Sequence, residues 1–149
     1  MKLHDSVDRI LRHKGSGVYS ISPDETVYQA LEALEEKNVG ALLVMSGDTL
    51  VGLLSERDYV RKVKLRGHSS TDTKVSDIMS TPVVTVSSDA TVDECMHAMT
   101  SKRCRHLPVV DAGKVVGVLS IGDLVNWIMS VQDATITHLE GYISGKYPA

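Results

Sequence analysis

Residues 18–63 align with residues 83–128 without a gap, at a constant offset of 65. A segment that returns at a fixed offset is one supersecondary unit made twice, and two copies are too few for an open solenoid. The chain is therefore predicted to fold as two half-domains packed about a pseudo-two-fold axis. Fifteen of the 46 aligned pairs are identical. The identities reach polar and glycine positions: Asp24 with Asp89, Gly52 with Gly117, Ser55 with Ser120, and Asp58 with Asp123.

Each copy predicts the order β-α-β-β-α, an α/β (α+β) fold. Val18–Ile21 and Val83–Val86 read as short β-branched strands. Asp24 and Asp89 then stand at candidate helix N-caps. Val27, Ala30, Leu31 and Leu34 follow at helical spacing, matched by Val92, Cys95, Met96 and Met99. Two apolar strands around a tight turn come next: Ala41–Met45 with Leu50–Leu54, and Leu107–Val110 with Val115–Leu119. A second helix closes each unit, at Glu56–Leu65 and Ile121–Gln132. Short helices are predicted near Val7–Leu11 and Val75–Met79. The chain divides into an N-terminal helix and loop (1–17), a first repeat (18–66), a linker with a short helix (67–82), a second repeat (83–132) and a tail (133–149). Ile136, Leu139 and Ile143 give the tail a helical spacing.

Composition narrows the function. The formal charge of −3 argues against a general nucleic-acid binder, which needs a basic surface. No apolar run reaches the roughly 20 residues that span a bilayer. The first residues lack the apolar core of a secretion signal, so a cytoplasmic location is expected. With no Phe and one Trp, the core has to be aliphatic. Cys95 and Cys104 lack metal-ligand spacing and read as free thiols. No nucleophile or acid–base cluster marks an enzyme.

The chemistry gathers at Gly52-Leu53-Leu54-Ser55-Glu56-Arg57-Asp58 and its twin Gly117-Val118-Leu119-Ser120-Ile121-Gly122-Asp123. A strand glycine permits close approach of a ligand or another backbone. A hydroxyl at the strand-to-helix junction lies beside the free N–H groups of a helix start, which favour anions. An Asp three residues later could accept both hydroxyls of a ribose. The competing reading is a capping box, in which Ser and Asp serve only the helix. Arg105-His106-Leu107-Pro108 offers two basic groups where the first copy has bare Gly40-Ala41-Leu42-Leu43. That difference suits a phosphate clamp on one side and a flat base on the other; an exposed Arg-His pair is the plainer alternative. Arg57 is a further phosphate candidate. Lys14-Gly15-Ser16-Gly17 reads first as a flexible loop and second as a phosphate contact.

Repeated units of this length that end in G-apolar-x-[ST]-x-x-D resemble CBS domains. The S-x-D-x-T-V segments and the R-H-x-P-V-V strand carry the same resemblance, which spans nearly all of residues 10–132. SERDYVRKV and VLSIGDLVNWI are similar to segments of small bacterial and plant-organelle proteins made of one CBS pair. The resemblance implies a disc-like module with two clefts for AMP, ADP, ATP, NAD or S-adenosylmethionine. It assigns the ribose diol to Asp58 and Asp123, and puts Ser55 and Ser120 near ribose or phosphate. Tyr19, Ser20 and Ile21 are implied beside the base in the Asp123 cleft, with Gly40 and Ala41 lining it. Thr85 and Val86 are implied in the Asp58 cleft. The first copy departs from the pattern in having no Pro and no basic pair, so the clefts are expected to differ. The Ser120–Asp123 cleft, with Arg105 and His106, should take AMP. The Ser55–Asp58 cleft, with Arg57, is expected either to accept a longer ligand, NAD or ATP/ADP, or to bind more weakly; S-adenosylmethionine ranks behind these.

The implied function is an adenine-nucleotide-binding, energy-sensing regulator that acts on a separate, unidentified protein, not an enzyme. The alternative is a ligand-independent scaffold. A homodimer or higher even assembly is expected through Tyr59, Val60, Val63, Val125, Ile128 and Met129. No nucleic-acid polymer or membrane partner is implied.

Overall fold

The computed structural model describes residues 4–15 and 17–130. The elements are α1 (Val7–Lys14), β1 (Ser20–Ile21), α2 (Val27–Lys37), β2 (Ala41–Ser46), β3 (Thr49–Ser55), α3 (Glu56–Tyr59, continuing as a π-helix over Val60–Lys64), α4 (Val75–Ile78), α5 (Val92–Lys102), β4 (His106–Asp111) and β5 (Lys114–Ser120). Residues 121–130 are helical and are called α6. The predicted tail helix, with Ile136, Leu139 and Ile143, lies outside the described residues.

The two hairpins are near copies. β2 pairs antiparallel with β3, and β4 with β5. Both break register at the same aligned place, after Val44 and after Val109. Only the turns differ. In the first, φ is positive at Gly47 alone of its two turn residues, the requirement of a type II′ turn. In the second it is positive at both Ala112 and Gly113, as in type I′. The glycine thus sits where each turn needs it.

Two expectations are corrected. Asp24 and Asp89 are not the helix caps; Thr26 and Thr91 are. Each Thr holds an extended backbone while its hydroxyl accepts the N–H three residues on, from Gln29 at 3.2 Å and Glu94 at 3.1 Å. Asp89 instead accepts from the Ser87 hydroxyl. The strand expected at Val83–Val86 is reduced to one bridge, Val86 beside Val109, where the first copy pairs Ile21 with Val44.

Each half has its own apolar core, completed by the helix that precedes the other half. Val7, Ile10 and Leu11 of α1 pack with Val92, Cys95, Leu107 and Leu119 of the second repeat. Val75 and Ile78 of α4 pack with Val27, Leu42, Val44 and Leu54 of the first. Backbone hydrogen bonds fix the crossing. The Val7 N–H donates to Ala90 O and the Asp8 N–H to Ser88 O; the Val75 N–H donates to Glu25 O and the Ser76 N–H to Pro23 O. In return, Asp5 O and Thr73 O accept the first N–H of α5 and α2, from Val92 and Val27. Donors otherwise left orphaned at two helix starts are thereby satisfied. The crossing needs a close approach. A Cβ on Gly117 would meet Leu11, and one on Gly52 would meet Met79. These strand glycines make room for a helix rather than for a ligand.

On the helices expected to join copies, Val63 is buried, and Tyr59 and Ile128 pack against the two cores. Val60, Val125 and Met129 stay exposed.

Candidate functional site

An open cleft of about 460 Å³ lies where the halves meet. The N-terminal segment supplies Lys14, Gly15 and Gly17, and the start of the first repeat supplies Tyr19. The first repeat adds Asn38, Val39, Gly40, Ala41, Leu43 and Leu53, and the second adds His106, Val118, Ser120 and Asp123. The end of α2 shapes one wall: Asn38 takes a left-handed conformation, φ 52°, that stops the helix and turns the chain to Gly40. Gly40 lies against the His106 ring, whose Cε1 and Nε2 would stand 3.7 Å from a Cβ there.

Asp123 is oriented by its helix start and by a distant lysine. Its Oδ2 accepts from the Ser120 N–H at 2.8 Å, and its own N–H donates to Ser120 Oγ at 3.1 Å. The capping box is therefore formed. The Lys14 ammonium donates to the same Oδ2 at 2.7 Å and to Val118 O at 2.8 Å. Asp123 Oδ1 accepts no hydrogen bond among the described residues. Desolvation pushes this carboxyl up, but the Lys14 and Ser120 bonds outweigh it and hold the group below the usual carboxylate range. His106 is shifted down as well, which for a base favours the uncharged form. Burial pushes its imidazole below the ordinary value; Asp123 opposes that, and Lys14 and Arg105 reinforce it.

The twin motif is capped in the same way but closed. Asp58 Oδ2 accepts from the Ser55 N–H at 2.9 Å and from the Ser55 hydroxyl at 3.1 Å. Its Oδ1 takes the Ser80 hydroxyl at 3.1 Å and the Lys62 ammonium at 3.2 Å. Both oxygens of Asp58 are committed within the chain.

Of the residues singled out in the sequence, Tyr19, Gly40, Ala41, His106, Ser120 and Asp123 meet at this cleft. Ser20, Arg105, Ser55, Arg57, Asp58, Thr85 and Val86 do not line it. Ile21 is a core residue, 6% exposed. The Arg105 side chain is exposed, and its carbonyl accepts the Ile121 N–H at 2.8 Å. Lys14, Gly15 and Gly17, read first as a loop and second as a phosphate contact, line the cleft as well; Asn38 and Val39 carried no signal. Recognising V-x-x-I-L at residues 7–11 and V-x-x-I-M at 75–79 as a second repeat, offset by 68, would have placed Lys14 against the second half. Cys95 is buried and Cys104 half-buried, both as free thiols. Among the described residues, no helix is long and apolar enough to cross a membrane, and no acidic, His or Cys cluster could hold a metal ion.

Residues 8–65 and 75–130 each match the family model of the CBS domain. The chain belongs to the CBS-domain family. It is 39% identical over 129 residues to the mitochondrial CBS domain-containing protein CBSX3 of Arabidopsis thaliana, a match covering 83% of this chain and 63% of that protein. The chain thus spans less than two thirds of that relative's length. A solved structure of a signal-transduction protein with CBS domains from Burkholderia ambifaria is 44% identical, with a TM-score of 0.82, covering 85% of this chain and 95% of that one. The hexameric CBS-CP12 protein from bloom-forming cyanobacteria is 27% identical, with a TM-score of 0.73, covering 81% of this chain and 70% of that one. CBS pairs are in general regulatory, ligand-binding modules, and their ligands typically contain adenosine.

Proposed function

We propose that this CBS pair binds an adenine nucleotide, AMP first among them, in the Asp123 cleft and thereby regulates a separate protein. The observation that carries the reading is the state of Asp123. One of its oxygens is fixed by Ser120 and Lys14, while the other accepts no bond among the described residues, in a cleft of about 460 Å³. Small-molecule sites run to about 300–1,000 Å³. A ribose diol is a natural donor to a fixed carboxylate oxygen, and Tyr19, Gly40 and Ala41 offer a wall for the base. The Ser55–Asp58 side, with Arg57, Thr85 and Val86, is the weaker site and the one for NAD or ATP/ADP; S-adenosylmethionine ranks last. The protein is read as a non-enzymatic regulator that works as a homodimer in the cytoplasm. The plant relative is named as mitochondrial.

A second reading, a scaffold without ligand, draws support from the two capping boxes: both motif aspartates already serve their helices. A thermal-shift panel separates the two. A ligand that binds only the folded state adds RT ln(1 + [L]/Kd), about 2.7 kcal/mol at a hundredfold excess over Kd. AMP, ADP, ATP, NAD and S-adenosylmethionine are added to protein shown by mass spectrometry to be ligand-free. The nucleotide reading expects the largest shift with AMP. Flat melting temperatures with all five would leave the scaffold.

A further inference from the structure

Resting on the nucleotide reading of the cleft, we propose that Lys14 is the residue by which it distinguishes a nucleotide from an unphosphorylated nucleoside. The other candidates for that task are occupied or elsewhere. Arg105 does not line the cleft. His106 does, but burial favours its uncharged form. At the start of α6 the Ile121 N–H is taken by Arg105 O and the Asp123 N–H by Ser120 Oγ, which leaves only Gly122 of the first three. Among the described residues, Lys14 is the one lysine or arginine in the lining.

Its placement is built. Lys14 ends α1, and Gly15 leaves the helix directly after it with φ 94°. Leu11 is locked over Gly117, and the His13 ring meets Trp127 edge-on at 5.8 Å. The crossed docking of α1 thus carries the ammonium across 109 residues of sequence to Asp123. An ammonium has three N–H donors. Two are spent on Asp123 Oδ2 and Val118 O, and the side chain remains one-third exposed. Among the described residues nothing takes the third donor, which leaves it for an anion next to the ribose carboxylate. In the other half the position that corresponds to Lys14, at the offset of 68 that relates α1 to α4, is Pro82; there Asp58 takes Lys62 from its own helix, on the oxygen that Ser80 also occupies. Within the Asp123 cleft, phosphate recognition thus falls to Lys14 rather than to the Arg105–His106 pair.

The alternative role for Lys14 is to position Asp123 alone, which would affect AMP and adenosine equally. Calorimetry of the full chain with AMP and with adenosine decides. The parent should bind AMP more tightly. Lys14→Met should weaken AMP at least tenfold and leave adenosine within about twofold, since a charge-assisted bond to phosphate is the strong one. Lys14→Arg should keep the preference. If Lys14→Met melts without ligand well below the parent, Lys14→Gln, which retains N–H donors without charge, replaces it. An unchanged ratio of the two affinities, or an equal loss of both, overturns the role of Lys14 while leaving nucleotide binding standing. Asp123→Asn tests that reading separately, by loss of both ligands. A parent that binds neither ligand ends both.

Discussion

Leu11 sits so close over Gly117 that a Cβ on the glycine would stand 2.8 Å from Leu11 Cδ2 and 2.9 Å from Cδ1. The other half repeats the contact more tightly, with Met79 Sδ at 2.5 Å, Cγ at 2.8 Å and Cβ at 3.1 Å from a Cβ on Gly52. At Gly117 the intruding atoms are the far end of a leucine that has some freedom to shift. At Gly52 the close approach runs back to the first carbon of the methionine, so the backbone at the end of α4 also has to give by some tenths of an ångström. Overpacking of this kind costs about 1–3 kcal/mol. Gly52→Ala should therefore lower the urea midpoint more than Gly117→Ala does. An equal and negligible effect of both would refute the packing role of these glycines.

What the sequence exposed and what it hid have the same cause. The gapless offset of 65 made the strands and long helices legible, because side-chain periodicity is a local property. Two features depend on partners far away in the chain. Val83–Val86 is β-branched like Val18–Ile21, yet only Val86 finds a backbone partner, so propensity overstated that strand. The crossing of α1 and α4 lies at a different offset, 68, and is signalled by only a few apolar positions. Without it Lys14 reads first as a loop and only second as a phosphate contact, behind Arg105, His106 and Arg57. The capping boxes were legible from Ser-x-x-Asp. Which aspartate keeps an oxygen without a partner among the described residues was not, because Ser80 comes from 22 residues away.

The two motif aspartates should separate function from stability. Asp58 is tied to Ser55, Ser80 and Lys62, with 13% of its side chain exposed. Asp58→Ala breaks a cap and two further contacts and should cost about 1–2 kcal/mol, with the AMP affinity of the strong site retained. Asp123→Ala should abolish AMP binding at that site. Parallel urea titrations and calorimetry of the two variants test the pair. If Asp123→Ala leaves stoichiometry and affinity at parental values, ribose recognition does not reside there.

Val60 and Val125 occupy aligned positions on α3 and α6 and are 46% and 40% exposed; Met129 is 55% exposed. Three apolar residues left open on two equivalent helices suit burial against a second copy. A dimer, or a higher even assembly, is the expected mass in light scattering at micromolar concentration. The joint replacement Val125→Asp and Met129→Asp should shift it toward monomer. A parental monomer would show that these helices serve something other than self-association.

His106 sets the response to mild acid. Its folded-state pKa lies below the ordinary 6.5 because burial disfavours the imidazolium. As pH falls past about 6.5, the unfolded chain takes up a proton that the folded protein resists, so stability drops until the folded pKa is passed. Asp123 adds a second loss lower down. Its pKa is depressed below 3.8, so its contribution persists above that value and fades as pH falls through the folded pKa. Urea midpoints at pH 7.5, 6.5 and 5.5 should therefore decline in the parent and decline less in His106→Asn. A phosphate beside His106 reverses the preference of the imidazole, because an anion favours the protonated form. AMP binding should then take up protons near pH 6, and this is read from calorimetric enthalpies in buffers of different ionisation heat. AMP should also bind more tightly at pH 6 than at pH 8, once the second ionisation of the phosphate itself is subtracted. Equal proton uptake by the parent and His106→Asn would place the phosphate away from His106 and against Lys14 alone.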